Sequence, residues 1–559
     1  MMNANRAKID FMVDLPTEEE ASSSTTTTTS TTIAFGSCHK NKYANPLIWK
    51  NIIRNSNHNN STGTNENPIT AFLWTGDAIY PPVRNIASTS QLQYEYQQMK
   101  TNHTAIGYTQ LFDSSYKNSS SSTPYIFGTW DDHDYGGNDR GGGNDNEMPQ
   151  RRERARLFYQ FINQSIPMDD AVTSDNNNDD DDNDKTNSKT EREGVYYSVE
   201  FRRRTTSKNT PNDEVDENEP TNSNSNSNSS TTQTIRILFL DTRYYRTSHC
   251  LPSMAGRFPL GAGIACLSRW CSAGLLQQYC SSKMYNDSTI LGTTQWEWLR
   301  QQIYDLPPPD ILMVVSSIQV YTTNPAMESW GHYPHELRQL SEYLLYAATR
   351  RHSGSVVTIL SGDVHHGEIL NPFPPIHPIS SSSSSSEEPY YYYLEVTSSG
   401  LTHDCSKHIY GIVCEPLLRT FHQHRHINKN NYYIGQNYGT INIDWIHQKV
   451  SINVHDALTG MIQLSTGSRS FGVSQHLHHH HSIDTNENTT LLLLNSIIPC
   501  MDNHLVPYVY QGCMWIVLLL TTIILLYRYT SFRSFRHKGT TRTAQPDNNI
   551  NLGEKKKKS

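Results

Sequence analysis

A basic stripe is the first thing missing from this 559-residue chain. It holds 46 Lys and Arg against 54 Asp and Glu, a net charge of -8, with acidic residues concentrated in the run Asp179 to Asp184. A protein that grips nucleic acid carries clustered positive charge, so that class is excluded. Apolar residues are sparse too, at 35%. Long tracts of Ser, Thr, Asn and Asp have no apolar periodicity and cannot bury enough surface to offset the entropy of ordering. No internal repeat is visible.

Cysteine is scarce as well, nine in all, and none stands in the paired C-x2-C spacing of structural zinc sites. Cys250, Cys266, Cys271 and Cys280 share one loop-like stretch, and Cys405 and Cys414 form another close pair. Disulfides in an oxidising compartment fit these spacings better than zinc, with free buried thiols as the remaining alternative. The N-terminus, MMNANRAKIDFMVDLPTEEE, lacks the apolar core of a signal peptide. Two explanations stand: a misplaced start, which we favour, or tail-first membrane insertion.

The one long uncharged run is residues 506–527, VPYVYQGCMWIVLLLTTIILLY. About 20 apolar residues span a bilayer, so this segment is expected to be a transmembrane helix contacting lipid. Arg528, Arg533, Arg536, Lys538 and Arg542 follow it, which places 528–559 in the cytosol and the rest on the lumenal or extracellular side. The terminal Lys555 to Lys558 resembles a dilysine retrieval signal, with a generic basic tail as the equal alternative. The expected location is therefore the endoplasmic reticulum or the plasma membrane.

The remaining organisation reads as a low-complexity leader over 1–31, a folded domain over 32–465 and a polar His-rich linker over 466–505. Within the domain, about 174–232 is a disordered insertion broken by a strand near Gly194 to Phe201, and 380–386 is a serine loop. Short apolar strands alternate with helices: strands at Thr32, Ile69 to Thr75, Pro124 to Trp130, Ile235 to Leu240, Ile311 to Ser316 and Val356 to Leu360, and helices at Leu92 to Met99, Arg151 to Ile162, Thr294 to Ile303 and Glu336 to Arg350. That alternation predicts an α/β layered protein.

Four strands run straight into polar turns rich in metal-ligating types: Gly36-Ser37-Cys38, Gly76-Asp77-Ala78-Ile79-Tyr80, Trp130-Asp131-Asp132-His133-Asp134 and Gly362-Asp363-Val364-His365. A lone Asp after a strand is usually a turn former or helix cap, and a lone Cys there is usually inert. Four such turns together need a common cause. Ligands in α/β proteins sit at the carboxyl ends of strands, and clustered buried carboxylates are tolerable when cations neutralise them. The His-rich run Gln475 to His481 lies in low-complexity sequence and reads as a solvated tract.

With FGSC, GDAIY, WDDHDYGGND, LDTRYYR, QWEWL and SGDVHHG in this order, the chain resembles the PhoD-like alkaline phosphatase family, a branch of the calcineurin-like metallophosphatases. The resemblance covers roughly Thr32 to Leu464. It implies a layered sandwich of two mixed β-sheets flanked by helices, and hydrolysis of phosphate esters by two-metal activation of water. It also implies a ferric iron and calcium pair. Cys38 and Tyr80 would bind iron, Asp77 would bridge the metals, and Asp132, Asp363 and His365 would complete the ligand set. His133 would face the leaving group, with Asp132 beside it in the catalytic centre. Whether Asn138 or Asn144 adds a calcium ligand is open. A catalytically inactive binding domain on the same scaffold is the competing reading, and oligomeric state is not legible.

Overall fold

The computed structural model describes residues 7–16, 30–54, 69–82, 86–112, 123–142, 148–170, 189–206, 230–247, 288–324, 326–349, 356–372, 392–407, 411–472 and 516–527. Two compact units result, Met1–Asn503 and His504–Ser559. The first is built on an eight-stranded and a seven-stranded sheet. In spatial order the larger sheet runs Phe11–Asp14, Tyr197–Thr206, Ser230–Phe239, Ile311–Ser316, Val356–Ser361, Tyr392–Ser398, Gly367–Leu370 and Tyr432–Tyr433. The smaller runs Ile462–Ser465, Lys449–Asp456, Asn437–Asp444, Ser30–Gly36, Ala71–Thr75 and Tyr125–Thr129, with Arg469–Ser470 paired to Lys449–Asp456. Both sheets are mixed.

Strand alternation divides the core. Ile235, Ile237, Phe239, Ile311, Met313 and Val315 face a cluster shared with Ile33, Phe35, Ala71 and Leu73 of the smaller sheet. The intervening Leu238, Leu312 and Val314 face a second cluster with Trp296, Leu299, Leu337, Leu340 and Leu344, from the helices Gly292–Arg300 and Pro334–Thr349. Successive side chains on a strand point to opposite faces, so strands buried on both sides read as unbroken apolar runs. Against the smaller sheet lies an aromatic group in which the Trp49 ring, from helix Pro46–Arg54, sits 5.3 Å from Phe72 and 5.8 Å from Trp74.

In the smaller sheet, Ser30–Gly36, Ala71–Thr75 and Tyr125–Thr129 are mutually parallel. In the larger, Ser230–Phe239, Ile311–Ser316 and Val356–Ser361 are parallel. Parallel strands deliver their exits to one end of a sheet, which is how distant turns reach one place.

Several expectations are corrected. No helix among the described residues is long and apolar enough to cross a membrane. The transmembrane element of the fold and the single-pass placement in the endoplasmic reticulum or plasma membrane fall on that finding. The second unit shows a helix over residues 516–527, and residues 506–515 of the expected span lie outside the described residues. Phe11–Asp14, inside the presumed leader, is a strand paired with Tyr197–Thr206. That second strand lies where one was expected near Gly194 to Phe201, and Lys189–Glu191 adds a further strand within the expected insertion. Residues 171–188 and 207–229, Cys250 to Cys280, the serine loop, the His-rich run and the basic tail lie outside the described residues. Cys405 and Cys414 do form a disulfide, with Cα atoms 6.2 Å apart.

Glu395 yields a pH prediction. Fully buried in the larger sheet, it accepts the Val320 N–H at 2.8 Å and the Tyr321 N–H at 2.7 Å, yet burial pushes its carboxyl up to about 7. A raised folded-state value favours the protonated form. Its stabilising contribution is therefore full below the unfolded value near 4.5 and lost as pH rises towards about 7. The loss should amount to about 3 kcal/mol. The difference in unfolding free energy between wild type and Glu395→Gln should change in that direction across the window; a difference independent of pH sinks the idea.

Candidate metal centre

The exits of the parallel strands converge. Cys38 follows Ser30–Gly36, Asp77 follows Ala71–Thr75, Asp131 to His133 follow Tyr125–Thr129, and Asp363 and His365 follow Val356–Ser361. Four of these residues take left-handed backbone angles: Cys38 at φ 61°, Asp77 at 49°, Asp363 at 70° and His365 at 61°. Such angles cost energy for side chains with a Cβ, and they gather where a site over-determines the backbone. The glycines explain how the turns come so close. A Cβ on Gly76 would lie 2.7 Å from the Asp131 Cβ, and one on Gly362 would collide with the Thr75 carbonyl and the Ser37 hydroxyl.

Three groups of ligand atoms lie within 4.8 Å of one another: Asp77, Asp132 and His133; Asp77, Asp131, Asp132 and Asp363; and Asp132, Asp139 and Glu328. Cys38 is fully buried, its Sγ 3.9 Å from Asp77 Oδ2 and 3.1 Å from the Ser399 hydroxyl. Asp77 accepts the backbone N–H of His133 at 3.2 Å. The Tyr80 ring lies 4.0 Å from the His133 ring, tilted by 36°, and 6.4 Å from His365. His365 is outside the three carboxylate groups; its backbone N–H donates to Ser399 Oγ at 3.0 Å and its ring lies 4.3 Å from His403.

Electrostatics make this an unsettled arrangement without a cation. Burial, followed by the charge of Asp77, pushes the Cys38 thiol up. Burial, then Asp132, Asp131 and Asp134, pushes the Asp77 carboxyl up. Burial, then Asp77 and Cys38, pushes the Tyr80 phenol up. His133 and His365 are pushed down, chiefly by burial, His365 to about 4. Carboxylates, a thiol and a phenol cannot all ionise together in the dark of a core unless positive charge is added.

The polar atoms fit that addition. Asp132 Oδ1, Asp131 Oδ2 and His365 Nδ1 are buried with no hydrogen-bond partner among the described residues, and the Tyr80 hydroxyl makes none of ordinary geometry although Asp77 and Cys38 face it. Native structures rarely leave buried polar atoms unsatisfied, and these groups could hold a cation.

Some participants were not legible in sequence. Asp131 belongs to a carboxylate group, but Arg243 and Ser317, the latter at 2.8 Å, already hold one of its oxygens. Asp134, beside the ligands in sequence, instead braces the turns, accepting the N–H of Ala78 at 3.2 Å and of Ile79 at 3.3 Å. Of the two asparagines left open, Asn144 is outside the described residues, and the three groups, drawn from His, Cys, Asp and Glu alone, do not test Asn138. Asp139 is in one, and its backbone N–H donates to Asp132 Oδ2. A polar residue beside a Gly-rich turn was the only available signal for it.

No family model matches the chain, and no curated protein matches it. Solved structures do. The chain is similar to PhoD. Identity is 14% and the TM-score 0.40, over 84% of this chain and 77% of that one. It is also similar to purple acid phosphatase PPD1 from yellow lupin (Lupinus luteus) seeds, at 10% identity and a TM-score of 0.33, over 78% of this chain and 53% of that one. The chain thus spans about half the length of the lupin protein. Likenesses this distant carry no argument about chemistry, for which the centre's own geometry must serve.

Proposed function

We propose that this chain is a metal-dependent hydrolase of phosphate esters. The observation that carries the reading is the convergence of four strand-end turns on one buried set of carboxylate, thiol, phenol and imidazole groups with unsatisfied atoms. Cys38, Asp77, Tyr80, Asp132, Asp363 and His365 would hold two cations, with Asp77 between them. When bound, the cations supply a lowered pKa for water and positive charge for a phosphoryl group.

The chain's own groups do the rest. Ser399 fixes Cys38 and His365 through its hydroxyl, at 3.1 and 3.0 Å. Asp77 orients the backbone of His133, whose partly exposed ring lies against Tyr80. From there His133 would hydrogen-bond the departing oxygen, help typically worth ~10² to 10⁴-fold. Asp132, tied to the Asp139 N–H, keeps its second oxygen for a cation. Purified full-length protein should release a chromogenic leaving group from a phosphate ester and lose that activity in chelator. Stoichiometric metal without any turnover would mean a binding domain instead.

For the metals, thiolate and phenolate favour ferric iron, while carboxylate oxygens suit a hard cation such as calcium. A phenolate on ferric iron absorbs visible light, so iron-loaded protein should be coloured and Tyr80→Phe should lose the band while keeping its iron. Colourless, active protein without iron would remove both Cys38 and Tyr80 from the iron site and point to another metal pair.

A further inference from the structure

Lys40 stands two residues after Cys38 and takes no part in the centre described so far. Its backbone is clamped from both sides by one hydroxyl: the Lys40 N–H donates to Thr402 Oγ1 at 2.6 Å, and Thr402 Oγ1 donates to the Lys40 carbonyl at 3.2 Å. Thr402 is buried, at 1% exposure, and its own carbonyl accepts from Gln436 Nε2 at 3.1 Å. Its neighbours reinforce the clasp, because the N–H groups of Thr402 and His403 both reach the Cys38 carbonyl, at 3.3 and 3.2 Å. The loop that carries Lys40 is therefore fixed relative to the metal ligand beside it.

The side chain is treated differently. Lys40 Nζ lies 5.5 Å from the Tyr80 ring and 5.6 Å from the Tyr43 ring. It makes no hydrogen bond or ion pair among the described residues. Most partly buried ammonium groups find a carboxylate; this one rests on aromatic faces beside the proposed iron ligand, with its N–H donors uncommitted. A strongly hydrated point charge held on a pinned backbone is suited to meeting an anion that arrives from outside.

Resting on the phosphoesterase reading, we infer that Lys40 selects the substrate class: it recognises the extra unesterified, charged oxygen of a phosphomonoester and so favours monoesters over diesters. A monoester dianion has one more charged oxygen than a diester. Two cations serve the oxygens common to both classes, and an uncommitted ammonium at the Tyr80 edge serves the one that only monoesters have. The Cys38 to Tyr43 loop and the Ser399 to Cys405 loop then act together, the second holding the first in place.

The test compares p-nitrophenyl phosphate with bis(p-nitrophenyl) phosphate, which share a leaving group, on full-length metal-loaded protein. Lys40→Ala should lower the monoester-to-diester ratio of kcat/KM by about tenfold or more, as expected on losing a charged hydrogen bond. The monoester loss should appear mainly in KM, inhibition by inorganic phosphate should weaken in parallel, and Lys40→Arg should restore part of the ratio. Metal content and melting temperature are measured alongside to keep misfolding distinct. An unchanged ratio in folded, metal-loaded Lys40→Ala overturns the inference while leaving the hydrolase reading intact. Wild-type protein that hydrolyses neither ester overturns both.

Discussion

Asp77→Asn should lower phosphate-ester turnover by at least about a thousandfold, the scale of removing several kcal/mol of charge stabilisation. Asn preserves the shape and the acceptor for the His133 N–H, so what is removed is the charge proposed to lie between the two cations. The variant also separates catalysis from folding. In the metal-free protein, burial and then Asp132, Asp131 and Asp134 hold the Asp77 carboxyl well above its usual range. A raised acid favours the folded state when protonated, and that contribution is lost as pH rises through the raised value. Asn does not titrate. Metal-free Asp77→Asn should therefore be at least as stable as metal-free wild type near neutral pH, while binding less metal. Full turnover with normal metal content in this variant would show that the centre is misplaced.

The second large effect is on stability. Arg243 is fully buried; its Nε pairs with Asp131 and its Nη1 with Glu328 Oε1 at 2.9 Å. Arg246 joins Glu328 from the same loop. Removing one partner of a buried ion pair leaves an uncompensated charge, at a cost of about 3–5 kcal/mol. Arg243→Met should lower the unfolding free energy in urea by that amount. Adding Asp131→Asn should recover part of it, because the carboxylate stranded by the loss of Arg243 is then gone, while Glu328 keeps Arg246. If the single variant is as stable as wild type, the ion-pair cluster does not hold the centre's floor.

Much of this protein is local enough to read from sequence. An apolar run ending in Gly-Asp predicts a buried strand and a tight turn because the residues involved are neighbours. Val356–Ser361 followed by Gly362-Asp363 is such a case, as is the turn bearing Asp77. Ligand chemistry is equally local, since thiol, phenol and carboxyl groups carry their metal preferences wherever they stand. The terminal apolar run shows the limit of that kind of reading. Its composition suggested a spanning helix, and no helix among the described residues is long and apolar enough to be one.

What sequence could not supply are relations between residues far apart in the chain. The strand Phe11–Asp14 exists because Tyr197–Thr206 offers it an edge, and neither segment announces the other. Asp131 and Asp132 are adjacent and chemically identical. Only the fold turns one towards Arg243 and Ser317 and the other towards the Asp139 N–H, leaving the second oxygen of each unsatisfied. Lys40 is one ordinary lysine among many until Thr402, 362 positions away, pins its backbone beside the ligands. Local sequence determines which groups are available and where the chain turns. Whether a charge is paired, buried or held ready is a matter of its surroundings, and three-dimensional packing alone decides those.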